Sequence, residues 1–312
     1  MKILITGGFG FIGGNLISNF YKNHEIIVSS RREKIPNSFN KFNGLKLIGH
    51  NDLLSKNKFP KNIDTVIHLA NLNAKDSFKF PAMAIDVNIE QSRLIFNNAI
   101  DNGVRHIIYF STSQVYGSSL VGKISEKSIT NPENLYSITH KAAEDLLKLS
   151  CYGNFNTKFS IVRLSNSFGV PVDLNTNIWD IFVNNLSKEC SKFKTMTIKS
   201  NPSILKDFIP IRDVVDCINF LMFNTSKSGL YNLSSETSQT LIQMANMIKS
   251  SYLNIYKNKI VKINLNKSIN KSQNSYCFVN KNLSEIGFKP KKSFNEEIND
   301  LLIFCDNNFN NK

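Results

Sequence analysis

The sequence has few of the features that mark secreted, membrane-bound or metal-binding proteins. Its five cysteines lie far apart and form no CxxC pair, so we expect reduced thiols, no disulfides and no metal site. No stretch approaches about 18 consecutive apolar residues, which argues against a membrane-spanning helix. Met1 and Lys2 lead directly into the apolar residues 3–5, without a signal-peptide pattern. We therefore expect a cytoplasmic protein with no membrane partner.

Acidic residues are also scarce, with 24 Asp and Glu against 38 Lys and Arg, which gives a net charge of +14. A strongly basic chain can bind nucleic acid, but usually through a concentrated basic patch. Here the lysines are dispersed among Asn, Ile and Phe, and the densest cluster, at 289–292, is short. We expect no nucleic-acid partner, and we expect the charge to help attract a polyanionic small molecule.

Strand-like and helix-like segments alternate through the first two-thirds of the chain. Continuous apolar stretches predict strands near residues 3–6, 26–28, 45–48, 66–69, 107–110 and 159–162. Helical spacing predicts helices over 82–101 and from 135, and later over 177–190, 238–252 and 294–305. Such alternation is typical of a parallel sheet with helices on both faces. After about residue 170 the pattern loosens, which predicts a smaller mixed α/β region.

A glycine-rich turn separates the first predicted strand from the first predicted helix. Residues 6–13 read TGGFGFIG, with glycines at 7, 10 and 13. Glycine allows a positive φ, a close approach of backbone N–H groups to a pyrophosphate, and tight helix–strand packing. A helix N-terminus also attracts phosphate charge. We predict that a dinucleotide binds at Gly7, Gly10, Phe11, Ile12 and Gly13.

The end of the second predicted strand indicates which dinucleotide this is. An NAD site usually has Asp or Glu there, whereas residues 28–32 read VSSRR. No carboxylate would repel a 2′-phosphate, and two guanidinium groups could bind it. We predict that Ser30, Arg31 and Arg32 select NADP(H) over NAD(H).

Seven further motifs appear in order along nearly the whole chain. They are 64–70 (DTVIHLA), Asn88, 111–117 (STSQVYG), 163–169 (RLSNSFG), 206–209 (KDFI) with 213–214 (DV), 229–233 (GLYNL) and 286–290 (IGFKP). With the glycine turn, this series resembles an extended short-chain dehydrogenase/reductase of the NAD(P)-dependent nucleotide-sugar epimerase/dehydratase family.

The resemblance implies a particular architecture. The expected fold class is α/β, with a Rossmann-type doubly wound parallel sheet and a smaller mixed α/β C-terminal substrate domain. The dinucleotide-binding domain is expected over 1–170 plus about 206–235. The substrate-binding domain is expected over about 171–205 and 236–312.

The resemblance also implies roles for individual residues. The catalytic hydroxyl is expected at Thr112, with Ser111 or Ser113 taking its place if the alignment is shifted by one. Further cofactor contacts are implied at Asp52, Leu53, Ala70, Asn71 and Leu164, and substrate contacts at Ser113, Gln114, Asn166 and Lys206. Lys206 stands where the family usually has Arg, so a bidentate contact to a diphosphate becomes a point charge.

The residues after Thr112 bear on the type of reaction. In 4,6-dehydratases of this family, Asp and Glu follow the threonine and supply the acid and base for loss of water. Here Ser113 and Gln114 stand in those positions, and neither exchanges a proton at neutral pH. This argues against 4,6-dehydratase activity.

The family's last motif, Tyr-x-x-x-Lys, is incomplete. Tyr136 occupies the position of the general acid or base, but His140 replaces the lysine that holds the nicotinamide ribose, and Lys141 follows. At about 100° per residue on a helix, position 140 lies about 40° from Tyr136 and position 141 about 140° away. Three interpretations stay open. His140 takes over the ribose contact, a π-bulge turns Lys141 towards Tyr136, or catalysis is impaired and the chain binds NADP(H) for another purpose.

Together these features predict NADPH-dependent reduction of a nucleotide-linked 4-keto sugar. Tyr136 would protonate the keto oxygen, Thr112 would hydrogen-bond to it, and His140 would orient the cofactor. The alternative is a nucleotide-sugar 4-epimerase that retains its cofactor. The resemblance implies a nucleotide-diphosphate sugar as substrate, and a homodimer formed through helices near 84–102 and 136–150.

Overall fold

The computed structural model describes residues 1–257, 259–266 and 275–310. Its strands, in chain order, are β1 (Lys2–Thr6), β2 (Glu25–Ser30), β3 (Lys46–Gly49), β4 (Thr65–His68), β5 (His106–Thr112), β6 (Gly122–Ile124), β7 (Lys158–Leu164), β8 (Asn166–Phe168), β9 (Thr195–Ile198), β10 (Leu205–Pro210), β11 (Gly229–Leu233), β12 (Ser238–Thr240), β13 (Lys262–Leu265) and β14 (Tyr276–Phe278). Its α-helices are α1 (Phe11–Phe20), α2 (His50–Leu53), α3 (Ala74–Lys79), α4 (Pro81–Ile85), α5 (Ser92–Asp101), α6 (Leu135–Ser150), α7 (Phe182–Phe193), α8 (Ile211–Asn224), α9 (Leu241–Ile255), α10 (Lys281–Glu285) and α11 (Phe294–Phe309).

Seven parallel strands form the central sheet in the order β11-β7-β5-β4-β1-β2-β3. These strands have apolar residues on both faces, as β1 shows with Ile3, Leu4 and Ile5 all fully buried. The strand order reverses between β1 and β4, where Thr6 pairs with His68. In open parallel sheets, ligands bind at the carboxyl ends of the strands beside such a reversal. The fold therefore places a crevice next to the glycine turn that follows β1.

Helices cover both faces of this sheet. On one face, α1 and α8 pack over a core that contains Leu16, Val28 and Val214. On the other, α5 and α6 pack over a core that contains Ile95 and Leu147. The predicted α/β fold with a doubly wound, Rossmann-type parallel sheet is confirmed.

A separate hydrophobic core lies in the C-terminal part of the chain. It is built from side chains of α7, α9, α11, β9 and β10, including Leu186, Ile248 and Leu301. Two small sheets, β12-β10-β8 and β13-β9, belong to this mixed α/β region. Within the predicted substrate-binding range of 236–312, positions 258, 267–274 and 311–312 lie outside the described residues.

The helix boundaries differ from the sequence-based ones at three places. The helix predicted over 82–101 contains a π-helical turn at Asp86–Gln91. The one predicted over 177–190 begins as a short 3-10 helix and becomes α7 only after the extended residue Ile181. The one predicted from 238 starts with β12, because the side chains of Thr240 and Gln243 form a capping box that begins α9.

Candidate active site

The glycine turn after β1 has the geometry expected of a phosphate site. Gly7 has a φ of +66°, and its N–H donates to the Ser29 carbonyl at 3.1 Å. A Cβ on Gly13 would lie 2.6 Å from Cα of Gly8, so α1 can pack against the turn only with glycine there. Helix α1 begins after Gly10 without a side-chain cap, which leaves its first N–H groups for an anion. The turn therefore fits a dinucleotide pyrophosphate.

The two arginines after β2 differ in their surroundings. Arg31 is exposed and forms no ion pair with any residue of 1–257, 259–266 or 275–310. Nη1 of Arg32 lies 3.4 Å from Oδ2 of the buried Asp173, and its backbone N–H donates to Oγ of Ser30 at 3.0 Å. Arg31 is thus available to a 2′-phosphate, whereas Arg32 would have to leave the Asp173 carboxylate to bind one.

Further predicted cofactor residues follow strands β3 and β4. Asp52 forms an ion pair with Lys58 at 3.1 Å, and the Leu53 side chain lies fully in the core, so Leu53 could touch a ligand only through its backbone. The Ala70 N–H donates to Oγ1 of Thr6 at 3.1 Å. Oδ1 of Asn71 is buried without a hydrogen-bond partner in the described part of the chain, which leaves an acceptor beside the crevice.

Thr112 ends β5 directly opposite Leu164, which ends β7. Both residues are buried, and Oγ1 of Thr112 accepts a hydrogen bond from the Gln114 N–H at 3.2 Å. Ser111, the neighbour considered as a substitute, donates instead to Oε1 of Glu144 at 2.6 Å. Its hydroxyl is occupied, so Ser111 is a poor substitute for Thr112.

A buried ion pair lies under this strand end. Nε and Nη2 of Arg163 bind the two carboxylate oxygens of Glu144 at 2.8 and 2.6 Å. The Arg163 guanidinium also lies over the Tyr116 ring, 4.8 Å from its centroid. These contacts join β7, α6 and the 3-10 turn Ser113–Tyr116, and so position the strand ends around Thr112.

Tyr136 and His140 lie one turn apart on α6, as the spacing predicts. Their rings meet edge to face with centroids 4.4 Å apart. Burial raises the pKa of Tyr136, and contact with the Thr112 side chain works in the opposite direction. Burial lowers the pKa of His140 to about 3, so the imidazole is neutral near pH 7.

Lys141 is not turned towards Tyr136. Helix α6 is α-helical over its whole length, and Nζ of Lys141 forms an ion pair with Asp145 on the solvent side. The π-bulge interpretation of this motif is therefore wrong. The π-helical turn lies instead in the preceding helix, at Asp86–Gln91.

That π-helical turn presents Asn88 to the site. Oδ1 of Asn88 accepts from the Leu72 N–H at 2.7 Å, and its Nδ2 donates to Oγ1 of Thr139 at 3.0 Å. Asn88 therefore connects the segment after β4 to the helical turn between Tyr136 and His140.

The predicted substrate residues lie in β8, in β10 and in the turn after β5. Nδ2 of Asn166 donates to the Asp207 carbonyl at 2.8 Å, which holds β8 against β10 beside Lys206. Desolvation lowers the pKa of Lys206, and no nearby carboxylate opposes that shift. The Lys206 ammonium group forms no ion pair in the described regions, so it is available to a bound diphosphate, whose negative charge would raise that pKa again. In the turn after β5, Oε1 of Gln114 accepts a hydrogen bond from Nδ2 of Asn134 at 3.4 Å, and Ser113 is half-buried.

Two residues of the site were not found from the sequence. Tyr109, in β5, hydrogen-bonds to Nδ1 of His140 at 2.8 Å, and Asp173 pairs with Arg32. A phenol hydroxyl among the apolar residues 107–110 was the only sign of the first. An isolated acid in the 170–176 loop was the only sign of the second.

Residues 3–234 match the NAD dependent epimerase/dehydratase family. The chain belongs to that family. The predicted family is therefore confirmed, and with it the expectation that the protein is an enzyme.

Individual relatives have different named activities. A dTDP-D-glucose 4,6-dehydratase of Dictyostelium discoideum is 31% identical over 79% of this chain, and the match spans 61% of that relative's length. A dTDP-4-dehydro-6-deoxyglucose reductase of Escherichia coli is 27% identical over 96% of both chains. A UDP-N-acetylglucosamine 4-epimerase of Methanobrevibacter ruminantium superimposes with a TM-score of 0.80 at 22% identity and covers 97% of both chains. No helix in the described ranges is long and apolar enough to cross a membrane.

Proposed function

We propose that this protein reduces a nucleotide-linked 4-keto sugar with NADPH. The observation that carries the proposal is the uncharged pair of Tyr136 and His140. With its pKa raised, Tyr136 keeps its proton, and among the described residues no ammonium group lies beside it to favour tyrosinate. A protonated tyrosine can donate to the oxygen of a ketone as that ketone is reduced. An epimerase would first need a base to oxidise a sugar alcohol.

Each residue has a definite task in this reaction. When bound, the reduced dinucleotide supplies the hydride that reaches the keto carbon. Tyr136 transfers its hydroxyl proton to the keto oxygen, which becomes the new alcohol, and Tyr136 regains a proton from solvent. Thr112 donates a hydrogen bond to the same oxygen. His140 positions the cofactor by a neutral hydrogen bond.

Substrate binding is assigned to Lys206 in β10 and to Asn166 in the adjacent strand β8. The Lys206 ammonium would contact the diphosphate, and Asn166 fixes the strand that carries it. The named reductase among the relatives supports this substrate class, since it covers nearly the whole chain. Ser113 and Gln114 stand where a dehydratase would need acid and base, which argues against the activity named for the Dictyostelium relative.

The preference for NADP(H) rests on the end of β2. Residues 29–32 at the end of the strand include no carboxylate, and the Arg31 guanidinium, which forms no ion pair in the described ranges, is available to a 2′-phosphate. NADPH is an exchangeable reductant, so a preference for it agrees with net reduction.

We propose a homodimer that forms through the outer face of α4 and α6, the helices near Tyr136. Ile85, Ile138 and Leu149 are 51%, 46% and 69% exposed, which leaves an apolar surface on α4 and α6. Ile138→Glu should convert a dimer into a monomer in light scattering, whereas Ile303→Glu, at a similarly exposed site on α11, should leave the dimer intact. A monomeric wild-type protein would contradict this assignment.

A substrate screen tests the proposed reaction. Nucleotide 4-keto sugars should cause stoichiometric NADPH oxidation with the wild-type protein and none with Tyr136→Phe, which keeps the ring but lacks the proton. Interconversion of two sugars with no net NADPH consumption would instead show an epimerase. Tight NADPH binding without turnover of any nucleotide 4-keto sugar would show the impaired site.

A further inference from the structure

Tyr109 and His140 form a buried hydrogen bond directly behind the proposed catalytic tyrosine. Tyr109 has no exposed surface, and its hydroxyl lies 2.8 Å from Nδ1 of His140. His140 is 3% exposed, and its Nε2 has no hydrogen-bond partner within the described residues. One imidazole nitrogen thus meets a buried hydroxyl, while the other has no protein partner.

The direction of this hydrogen bond follows from counting protons. Burial raises the pKa of Tyr109 and lowers the pKa of His140 to about 3, so both groups are neutral near pH 7. A neutral imidazole has one N–H. If Nδ1 carried it, the Tyr109 hydroxyl would lack an acceptor among the described residues and Nε2 would lack a donor, so two buried polar groups would be unsatisfied instead of the Nε2–H group alone. If Nδ1 accepts the Tyr109 proton, the imidazole proton must be on Nε2.

The neighbouring titratable groups leave this arrangement in place. His68 stacks on Tyr109, and its own two nitrogens already bond to Thr6 and Ser92. The negative charge of Glu144 further raises the pKa of Tyr109. The His140 imidazole has burial as the sole cause of its lowered pKa.

We propose that Tyr109 is a positioning residue that fixes His140 as its Nε2–H tautomer, which leaves Nε2–H to donate to a hydroxyl oxygen of the bound dinucleotide or sugar. The identity of that ligand rests on the proposed function, whereas the tautomer does not. A lysine at this position would bring a donor and a charge. Here the geometry provides a donor with a fixed direction and no charge.

Nitrogen-15 NMR of histidine-labelled protein reads the tautomer, because protonated and unprotonated ring nitrogens have distinct shifts. His140→Gln identifies the His140 signals by their loss. We expect the wild-type protein near pH 7 to have a protonated Nε2 and a bare Nδ1. Tyr109→Phe should give a mixture of both tautomers, because phenylalanine offers no proton to Nδ1. A protonated Nδ1 in the wild-type protein would overturn the proposal without any variant.

Tyr252→Phe is the matched control. Tyr252 is 1% exposed and lies in α9, within the C-terminal core, so its substitution also removes a hydroxyl from a buried tyrosine. It should keep the wild-type tautomer of His140. A tautomer mixture in Tyr252→Phe as well would show a general effect of loosened packing and would count against a role specific to Tyr109.

Ligand titrations identify what accepts from Nε2–H. NADPH and UDP-glucose are added separately, and the ligand that supplies the acceptor oxygen should shift the Nε2–H signal. Its affinity, measured by calorimetry, should fall about two- to ten-fold in Tyr109→Phe and stay unchanged in Tyr252→Phe. If neither ligand moves the signal, Nε2–H is not a ligand donor. These measurements need no turnover. A substrate screen without activity would therefore contradict the proposed reductase function but would not affect the tautomer assignment.

Discussion

The rings of Tyr136 and His140 meet edge to face, 4.4 Å apart between centroids, and neither carries a charge near neutral pH. A lysine in place of His140 would favour tyrosinate by its charge. Burial lowers the pKa of the His140 imidazole to about 3, so this ring carries no charge that would favour tyrosinate. The pair therefore keeps a proton available for donation, which supports the proposed reduction.

This protonation state predicts a flat pH profile for reduction. Because burial raises the pKa of Tyr136 above its ordinary value of about 10, kcat/KM for an accepted 4-keto sugar should be constant from about pH 7 to about pH 9 and should begin to fall only above about pH 10. The reverse oxidation should rise with pH over the same range. Initial rates in both directions check this. A loss of reductase activity between pH 7 and 8 would contradict it.

Replacing His140 by lysine should shift that profile. An ammonium beside Tyr136 lowers the pKa of the phenol, so the alkaline fall in reduction should move to lower pH, and oxidation should become faster near neutrality. His140→Gln is the control, because it changes the side chain without adding a charge. Equal pH profiles for the lysine and glutamine variants would show that charge at this position does not govern Tyr136.

The position of His140 illustrates what the sequence could predict. The helical spacing of Tyr136 and His140 placed both side chains on one face, since that geometry is local. The partner of His140 could not be predicted, because Tyr109 is 31 residues away and meets it only when α6 packs on β5. The same holds for Asp173, which reaches Arg32 across 141 residues. The strand pattern and the glycine turn predicted where a dinucleotide would bind. The charges around that site depend on contacts between distant segments, which the sequence pattern does not reveal.

Cofactor preference should depend more on Arg31 than on Arg32. Loss of a charge-assisted hydrogen bond costs about 1.5–3 kcal/mol, so Arg31→Ser should weaken NADPH binding about 10- to 100-fold and leave NADH binding nearly unchanged. Arg32→Ser should weaken NADPH binding less, because Asp173 already holds that guanidinium. Calorimetric titration of both variants with both cofactors provides the comparison. Stronger binding of NADH than of NADPH by the wild-type protein would refute the preference.

Removing the charge of Asp173 tests whether this carboxylate competes with NADPH for Arg32. Asp173→Asn removes the negative charge 3.4 Å from Arg32, so NADPH should bind more tightly, while NADH should change little. Asp180→Asn is the control, because it removes a carboxylate of an exposed ion pair with Lys75. If Asp173→Asn weakens both cofactors equally, Asp173 supports the loop fold and does not compete for Arg32.

Gly13→Ala should abolish cofactor binding. The new methyl group would lie 2.6 Å from Cα and 2.7 Å from the carbonyl oxygen of Gly8, so α1 must shift away from the turn that holds the pyrophosphate. Gly14→Ala is the control on the same helix. The three atoms nearest its methyl group would be side-chain atoms of Phe39 and Val172, at 3.2 to 3.5 Å, and the change from glycine to alanine adds about 1 kcal/mol of helix propensity. Unchanged NADPH affinity in Gly13→Ala would remove the glycine turn from the cofactor site.

Glu144→Gln should destabilise the whole fold. It leaves the Arg163 guanidinium, 3% exposed, without its bidentate carboxylate partner, and breaking a buried pair in this way costs about 3–5 kcal/mol. Glu90→Gln removes a carboxylate from an exposed pair with Arg93 and should cost less than about 1 kcal/mol. Urea unfolding followed by circular dichroism gives both values. Because Glu144 also accepts from Ser111 below Thr112, its loss should reduce kcat even in protein that remains folded. Equal stabilities of the two variants would mean that the Arg163–Glu144 pair does not hold the strand ends around the active site.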